Sequence, residues 1–177
     1  GLEADTVGLQ TLARPGCQLL VASSFSKNFG LYRERVGALT VTTDDTDTAE
    51  VVLSVLKQTI RANYSNPPSH GAAIVTKILD DDSLRQQWED ELAEMRSRIN
   101  TMRQRFVEEM SLVASGHDFS FVTAQRGMFS FSGLSTEQVD RLREEHAVYM
   151  VRNGRINVAG LTETNVGPLC RSIAEVL

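Results

Sequence analysis

The chain has 177 residues, 41% hydrophobic and 23% charged, enough for one globular domain or a pair of small subdomains. A formal net charge of -5 argues against nucleic acid as a partner, since a phosphate-backbone binder needs a basic face, and no apolar run approaches the ~20 residues of a membrane span. Cys17 and Cys170 lie far apart and His70, His117 and His146 are scattered, so no metal and no disulfide framework is assigned, and a reducing, cytoplasmic setting is expected.

In chain order, residues 2–13 are expected as a helix that Arg14-Pro15-Gly16 ends. The run CQLLVASS (17–24) has strand length between turn signals and predicts a buried strand. A second strand is expected in RVGALTVTT (35–43), rich in Val and Thr. Residues 46–63 read as a helix, Asn66-Pro67-Pro68 as an extended break, and residues 69–80 as a further helix.

Ser83 and Gln86 fit a capping box, and Trp88, Leu92, Met95, Ile99, Met102 and Phe106 follow as one apolar stripe. They predict a helix to about residue 115, roughly 45 Å long at 1.5 Å per residue. That length suits a connector between two domains. The basic residues from Arg96 to Arg105 are interleaved with acidic ones and read as a solvated face of this helix.

Strands are expected in DFSFV (118–122) and GMFSFSGL (127–134), then a helix with a capping box at Ser135 and Gln138 and a staple between Leu134 and Val139. AVYMV (147–151) and RINVAGL (155–161) flank Asn153-Gly154, a hairpin signal, and a last helix is expected from about Thr162. The implied architecture is α/β with three parts: 1–80, a connecting helix over 81–115, and a small α/β or α+β unit over 116–177.

The stretch that calls for chemistry is SSFSKNFG (23–30), which places Lys27 among serines on a connection after a strand end. Ser24-x-x-Lys27 could be the nucleophile motif of penicillin-recognising serine enzymes. No Lys-Thr-Gly strand accompanies it, and Asn28-Phe29-Gly30 is poor sequence for the helix that motif opens. The other reading makes Lys27 the reactive group. A lysine amine forms a Schiff base with a carbonyl cofactor, while hydroxyls and an arginine such as Arg35 bind a phosphate. An aldehyde-binding lysine beside phosphate ligands describes pyridoxal phosphate. On these residues alone, a turn with an exposed lysine remains open.

The segment SFSKNFGLYRERVGALTV closely resembles the cofactor-lysine segment of aspartate aminotransferases, pyridoxal-phosphate enzymes of the type I fold. RANYSNPPSHGA (61–72), GMFSFSGLS (127–135) and GRINVAGL (154–161) resemble the same family in order and spacing, over nearly the whole chain. The resemblance implies that 1–80 is the end of the large pyridoxal-phosphate-dependent-transferase cofactor domain, 81–115 the connecting helix and 116–177 the small C-terminal domain. It implies that Lys27 forms the Schiff base and shuttles the proton, and that Ser24, Ser26 and Arg35 hold the cofactor phosphate. Arg155 would bind the substrate α-carboxylate, and Arg61 the side-chain carboxylate of aspartate or glutamate in the neighbouring subunit of a homodimer with shared sites. Phe129 would line the pocket, with core packing as its other reading.

Substrates would be amino acids and 2-oxo acids, with aspartate and 2-oxoglutarate in a ping-pong cycle. An aromatic aminotransferase of the same fold and a non-catalytic folded, dimerising fragment remain as alternatives. Family members are more than twice this length. The chain does not open with Met and resembles their C-terminal half, without the part that holds the Asp facing the pyridine nitrogen. The 177 residues alone are therefore expected to be inactive.

Overall fold

A computed structural model describes all 177 residues, which divide into two compact units, Gly1–Leu92 and Ala93–Leu177. In the first unit, α1 (Leu2–Leu12) precedes β1 (Leu20–Ser24) and β2 (Gly37–Val41), followed by α2 (Thr46–Tyr64) and α3 (Ser69–Leu79). Strands β1 and β2 pair antiparallel with Leu20 opposite Val41 and Ser24 opposite Gly37. Only a glycine fits at Gly37, because a Cβ there would collide with the Ser23 carbonyl oxygen across the ladder. Helix α2 starts where Asp45 accepts from the Thr48 N–H at 2.7 Å, a side-chain N-cap. Those two hydrogen bonds from Thr48, backbone and hydroxyl, hold the Asp45 carboxyl below the usual carboxylate range.

The expectation of a buried β1 is corrected. Leu20 is 74% exposed and no residue of the strand is buried, because the ladder has two strands and no layer of this chain covers it. Helix α1 likewise buries none of its residues.

Helix α4 (Asp82–Val113) belongs to the first unit as far as Leu92 and to the second from Ala93. Its cap is Asp81 rather than a box at Ser83. The Asp81 carboxylate accepts from the N–H groups of Ser83 and Leu84 at 3.1 and 3.2 Å, while Gln86 donates along the helix to Asp90. The helix opens at Asp82, so Asp81 occupies the N-cap position, its carbonyl accepting from the Arg85 N–H at 2.8 Å, and Ser83 already lies in the first turn. The apolar stripe is buried at Met102 and Phe106 and extends to Met110, whereas Met95 is 45% exposed.

The second unit continues with α5 (Phe121–Ala124), β3 (Phe129–Phe131), α6 (Thr136–His146), β4 (Arg155–Asn157) and α7 (Val166–Val176). The capping box at Ser135 and Gln138 is present in full. The core joins α4, α6 and α7 through Phe106, Met110, Leu142, Cys170 and Ile173, each fully enclosed. Burial pushes the Cys170 thiol up to about 12, so it stays a neutral apolar filler.

Two strand expectations fail here. DFSFV forms a turn, with Asp118 accepting from the Ser120 N–H at 2.8 Å, and then the single turn of α5. Phe119 and Val122 are buried three residues apart, a helical spacing. AVYMV forms no strand either. Ala147 takes a left-handed φ of 54° as the C-cap of α6, and Tyr149 is 79% exposed. Asn153-Gly154 does turn the chain, with the Gly154 N–H donating to the Val151 carbonyl at 2.9 Å. The strand it leads into pairs with β3 instead, Phe131 opposite Arg155. Gly154 is required by its φ of 80° and by the Leu134 carbonyl oxygen, 2.9 Å from where a Cβ would stand. The last helix begins later than Thr162, which instead caps the Thr162–Asn165 turn before α7.

Candidate active site

The end of β1 and the β1–β2 connection hold four of the expected site residues: Ser24 closes the strand, and Ser26, Lys27 and Arg35 follow it. The chain leaves β1 in a turn closed by the Phe29 N–H donating to the Phe25 carbonyl at 3.3 Å. The Ser24 hydroxyl donates to the Ser26 hydroxyl at 3.1 Å and accepts from the Ser26 N–H, so two hydroxyls sit side by side at the strand end. Ser26 is buried and Lys27 is exposed, its Nζ 4.3 Å from the centre of the Tyr32 ring. That placement is a cation–π contact, which restrains an otherwise mobile amine.

Aromatic packing fixes the turn from behind. Phe25 and Phe29 meet edge to face at 5.4 Å, and Phe29 stacks on Trp88 at 4.7 Å. The Trp88 indole N–H donates to the Asn28 carbonyl at 2.7 Å. The carbonyl next to Lys27 is therefore tied to α4.

Arg35 adopts a φ of 50°, a left-handed conformation that costs a non-glycine residue strain. Its Nη1 donates to the Tyr32 carbonyl at 3.1 Å, and the rest of the guanidinium has no partner. Helix α3 braces this segment. Gly71 is buried against it, and a Cβ there would stand 2.9 Å from the Glu34 Cβ and 3.0 Å from Val36. His70 adds a 3.0 Å contact to the Glu34 carboxylate. Arg35 is thus gripped on both sides by residues that pack on α3.

Arg61 lies in the last turn of α2, fully on the surface, with its Nη1 donating to the Ser65 hydroxyl at 2.9 Å. Ser65 has a φ of 73°, so the chain breaks sharply from the helix there.

In the second unit Arg155 and Phe129 come together. In β3 and β4, Ser130 and Ile156 face the core while Phe129, Phe131, Arg155 and Asn157 face outward. The Arg155 guanidinium carbon lies 5.0 Å from the centre of the Phe129 ring and has no carboxylate partner. Phe129 is 41% exposed, so it is not a core residue. Arg98 of α4 supports the strand exit, its Nη2 donating to the Leu161 carbonyl at 2.6 Å and its Nη1 to that of Ala159 at 3.1 Å.

Sequence reasoning passed over Tyr32, Trp88, Gly71 and Arg98. Tyr32 could have been found as the aromatic five residues beyond the lysine. The others contact partners too distant in sequence for any local signal.

The family model described as aminotransferase class I and II matches residues 2–173. The chain is 55% identical to the aspartate aminotransferase of Escherichia coli (strain K12), over 100% of this chain and 45% of that protein. It is 46% identical to the aromatic-amino-acid aminotransferase of the same organism, again over 45% of that protein. Among solved structures, the aromatic-amino-acid aminotransferase from Burkholderia pseudomallei, covalently bound to pyridoxal phosphate, superposes with a TM-score of 0.95 at 51% identity, covering 100% of this chain and 44% of that one. The chain thus spans under half the length of the relatives it matches. With the family model covering nearly every residue, this chain belongs to the class I and II aminotransferases.

Proposed function

We propose that the chain is the C-terminal portion of a pyridoxal-phosphate-dependent aspartate aminotransferase, a cytoplasmic homodimer that moves the amino group of aspartate to 2-oxoglutarate. The observation that carries this reading is the β1–β2 connection, where an amine, two adjacent hydroxyls and an arginine with free donors share one short segment. That donor set fits the cofactor: the hydroxyls of Ser24 and Ser26 and the Arg35 fork suit a phosphate, and Lys27 suits an aldehyde. The higher identity to the aspartate enzyme than to the aromatic enzyme of one organism favours aspartate. The close match to an aromatic enzyme's structure keeps that substrate class as the second reading.

When bound, pyridoxal phosphate supplies an electron sink for the pair left on the substrate Cα. Lys27 acts as general base, its Nζ taking the proton from Cα and later returning one. Arg155 holds the α-carboxylate in a bidentate fork, with Phe129 packed against its guanidinium as a wall. Arg61, projecting from the end of α2, serves the site of the neighbouring subunit and binds the substrate's second carboxylate.

The test compares kcat/KM for aspartate and phenylalanine in the whole protein and two variants. Arg155→Ala should cost roughly 10²–10³-fold on both substrates, since both carry an α-carboxylate. Arg61→Ala should cost about as much on aspartate but under roughly tenfold on phenylalanine. Equal losses on both substrates in Arg61→Ala would contradict its role. A native preference for phenylalanine would move the assignment to the aromatic class.

A further inference from the structure

The basic run of α4, expected to be a solvated face, contains an arginine that is not solvated. Arg103 is 2% exposed. Its Nη1 donates to the Val122 carbonyl at 3.0 Å and to the Ser130 hydroxyl, and its Nη2 donates to the carbonyls of Gly127 at 2.7 Å and Phe129 at 3.1 Å. Its Nε is buried with no partner. No carboxylate pairs with it, so its charge is met by carbonyl and hydroxyl dipoles alone. Isolated buried charges are costly, and nature usually supplies a counter-ion.

A second guanidinium stands nearby. Arg126 turns its Nη1 back onto the carbonyls of Thr123, Ala124 and Gln125, leaving its Nε and Nη2 without partners and without a carboxylate. Burial and then the charge of Arg126 pull the Arg103 pKa down from its ordinary value. A cleft of about 320 Å³ opens at these residues, lined by Asn100, Arg103, Gln104, Thr123 and Arg126. No acidic side chain lines it. The amides of Asn100 and Gln104, four residues apart on α4, hydrogen-bond to no protein group. The Thr123 hydroxyl proton is already donated to the Ser120 carbonyl at 2.8 Å.

We propose that this cleft binds a small free oxyanion of the phosphate class. Arg126 and the amides of Asn100 and Gln104 are its donors, and Arg103 supplies a fixed positive charge in the wall. None of the residues assigned to cofactor or substrate lines it. A doubly charged anion offsets two guanidiniums that the chain itself leaves unpaired, and charge-assisted donors in a partly enclosed cleft hold it better than a surface would.

The test titrates inorganic phosphate against chloride at matched ionic strength, by calorimetry. The background is Arg35→Ala in the whole protein, which removes the one charged member of the phosphate set formed with Ser24 and Ser26. Saturable uptake is expected, weakened by roughly tenfold or more in Arg126→Gln. Gln104→Glu, an exposed and helix-compatible change that puts a carboxylate beside Arg126, should weaken it by at least as much. Gln86→Glu adds the same charge elsewhere on α4 and should leave uptake unchanged. No saturable uptake would overturn the proposal. So would uptake that neither cleft variant alters, or that Gln86→Glu weakens equally.

Discussion

Replacing Lys27 by Ala is expected to reduce amino transfer by the whole protein by roughly 10⁴-fold or more in kcat. The lysines of the chain are Lys27, Lys57 and Lys77, and only Lys27 sits outside a helix, on the turn that also carries the paired hydroxyls. Lys57 lies within α2, and Lys77 lies within α3, where it pairs with Asp81. Removing the amine takes away the base for the Cα proton, and no other titratable side chain of the turn can replace it. The fold should tolerate the change, because Lys27 is exposed and its contact with Tyr32 is a single cation–π pair. Loss of turnover with an unchanged melting temperature of the cofactor-free protein is therefore the expected pair of results. A variant that keeps a tenth or more of native kcat would mean that another group moves the proton.

The second large effect is a gain. A dimer pairing one Lys27→Ala chain with one Arg61→Ala chain should regain activity that neither parent has. If Arg61 serves the neighbour's site and Lys27 its own, both defects fall in one site and the other is intact. If both serve their own subunit, each site carries one defect. The surface position of Arg61, at the end of α2 where Ser65 turns the chain at a φ of 73°, suits a side chain that reaches outward. Random pairing of equal amounts in a two-fold dimer makes half the dimers mixed, so roughly a quarter of native aspartate activity should return. The variants are unfolded and refolded together, and mass analysis confirms mixed dimers. Activity no higher than the better parent would reassign Arg61 to its own subunit.

Helices were legible where the chain marks its own ends. Ser135 with Gln138 predicts α6 and forms the full capping box, and the apolar stripe from Trp88 to Phe106 predicts α4. Both signals are local, decided by residues three or four apart. Partner choice was not legible. Asn153-Gly154 marks a turn, and the nearest apolar run, AVYMV, reads as its other strand. The backbone of β4 finds β3 instead, more than 20 residues upstream, and the left-handed Ala147 closes α6 in place of a strand. Burial was equally hidden. An apolar run such as that around Leu20 predicts a core strand, yet burial needs covering layers that a run cannot report.

The same division holds for the candidate site. Ser24, Ser26, Lys27 and Arg35 could be singled out together because they are nearly contiguous, while the choice of cofactor chemistry over a plain turn rested on the family resemblance. Trp88 was assigned to a helix stripe, and its hydrogen bond to the Asn28 carbonyl spans 60 residues. Arg103 looked like one more solvated arginine because its acceptors come from α5, β3 and the turn between them, 19 or more residues away. Side chains that bind distant backbone leave no local pattern.

The proposed function stands or falls with Lys27 as the residue to which pyridoxal phosphate attaches. The most direct measurement is to mix the whole protein with pyridoxal phosphate, reduce with borohydride, digest and locate the added mass. One modified lysine per subunit, Lys27, is expected, with the label lost in Lys27→Ala. Label on any other lysine of the whole protein, Lys57 and Lys77 included, or no label above that of a denatured control, would overturn that assignment.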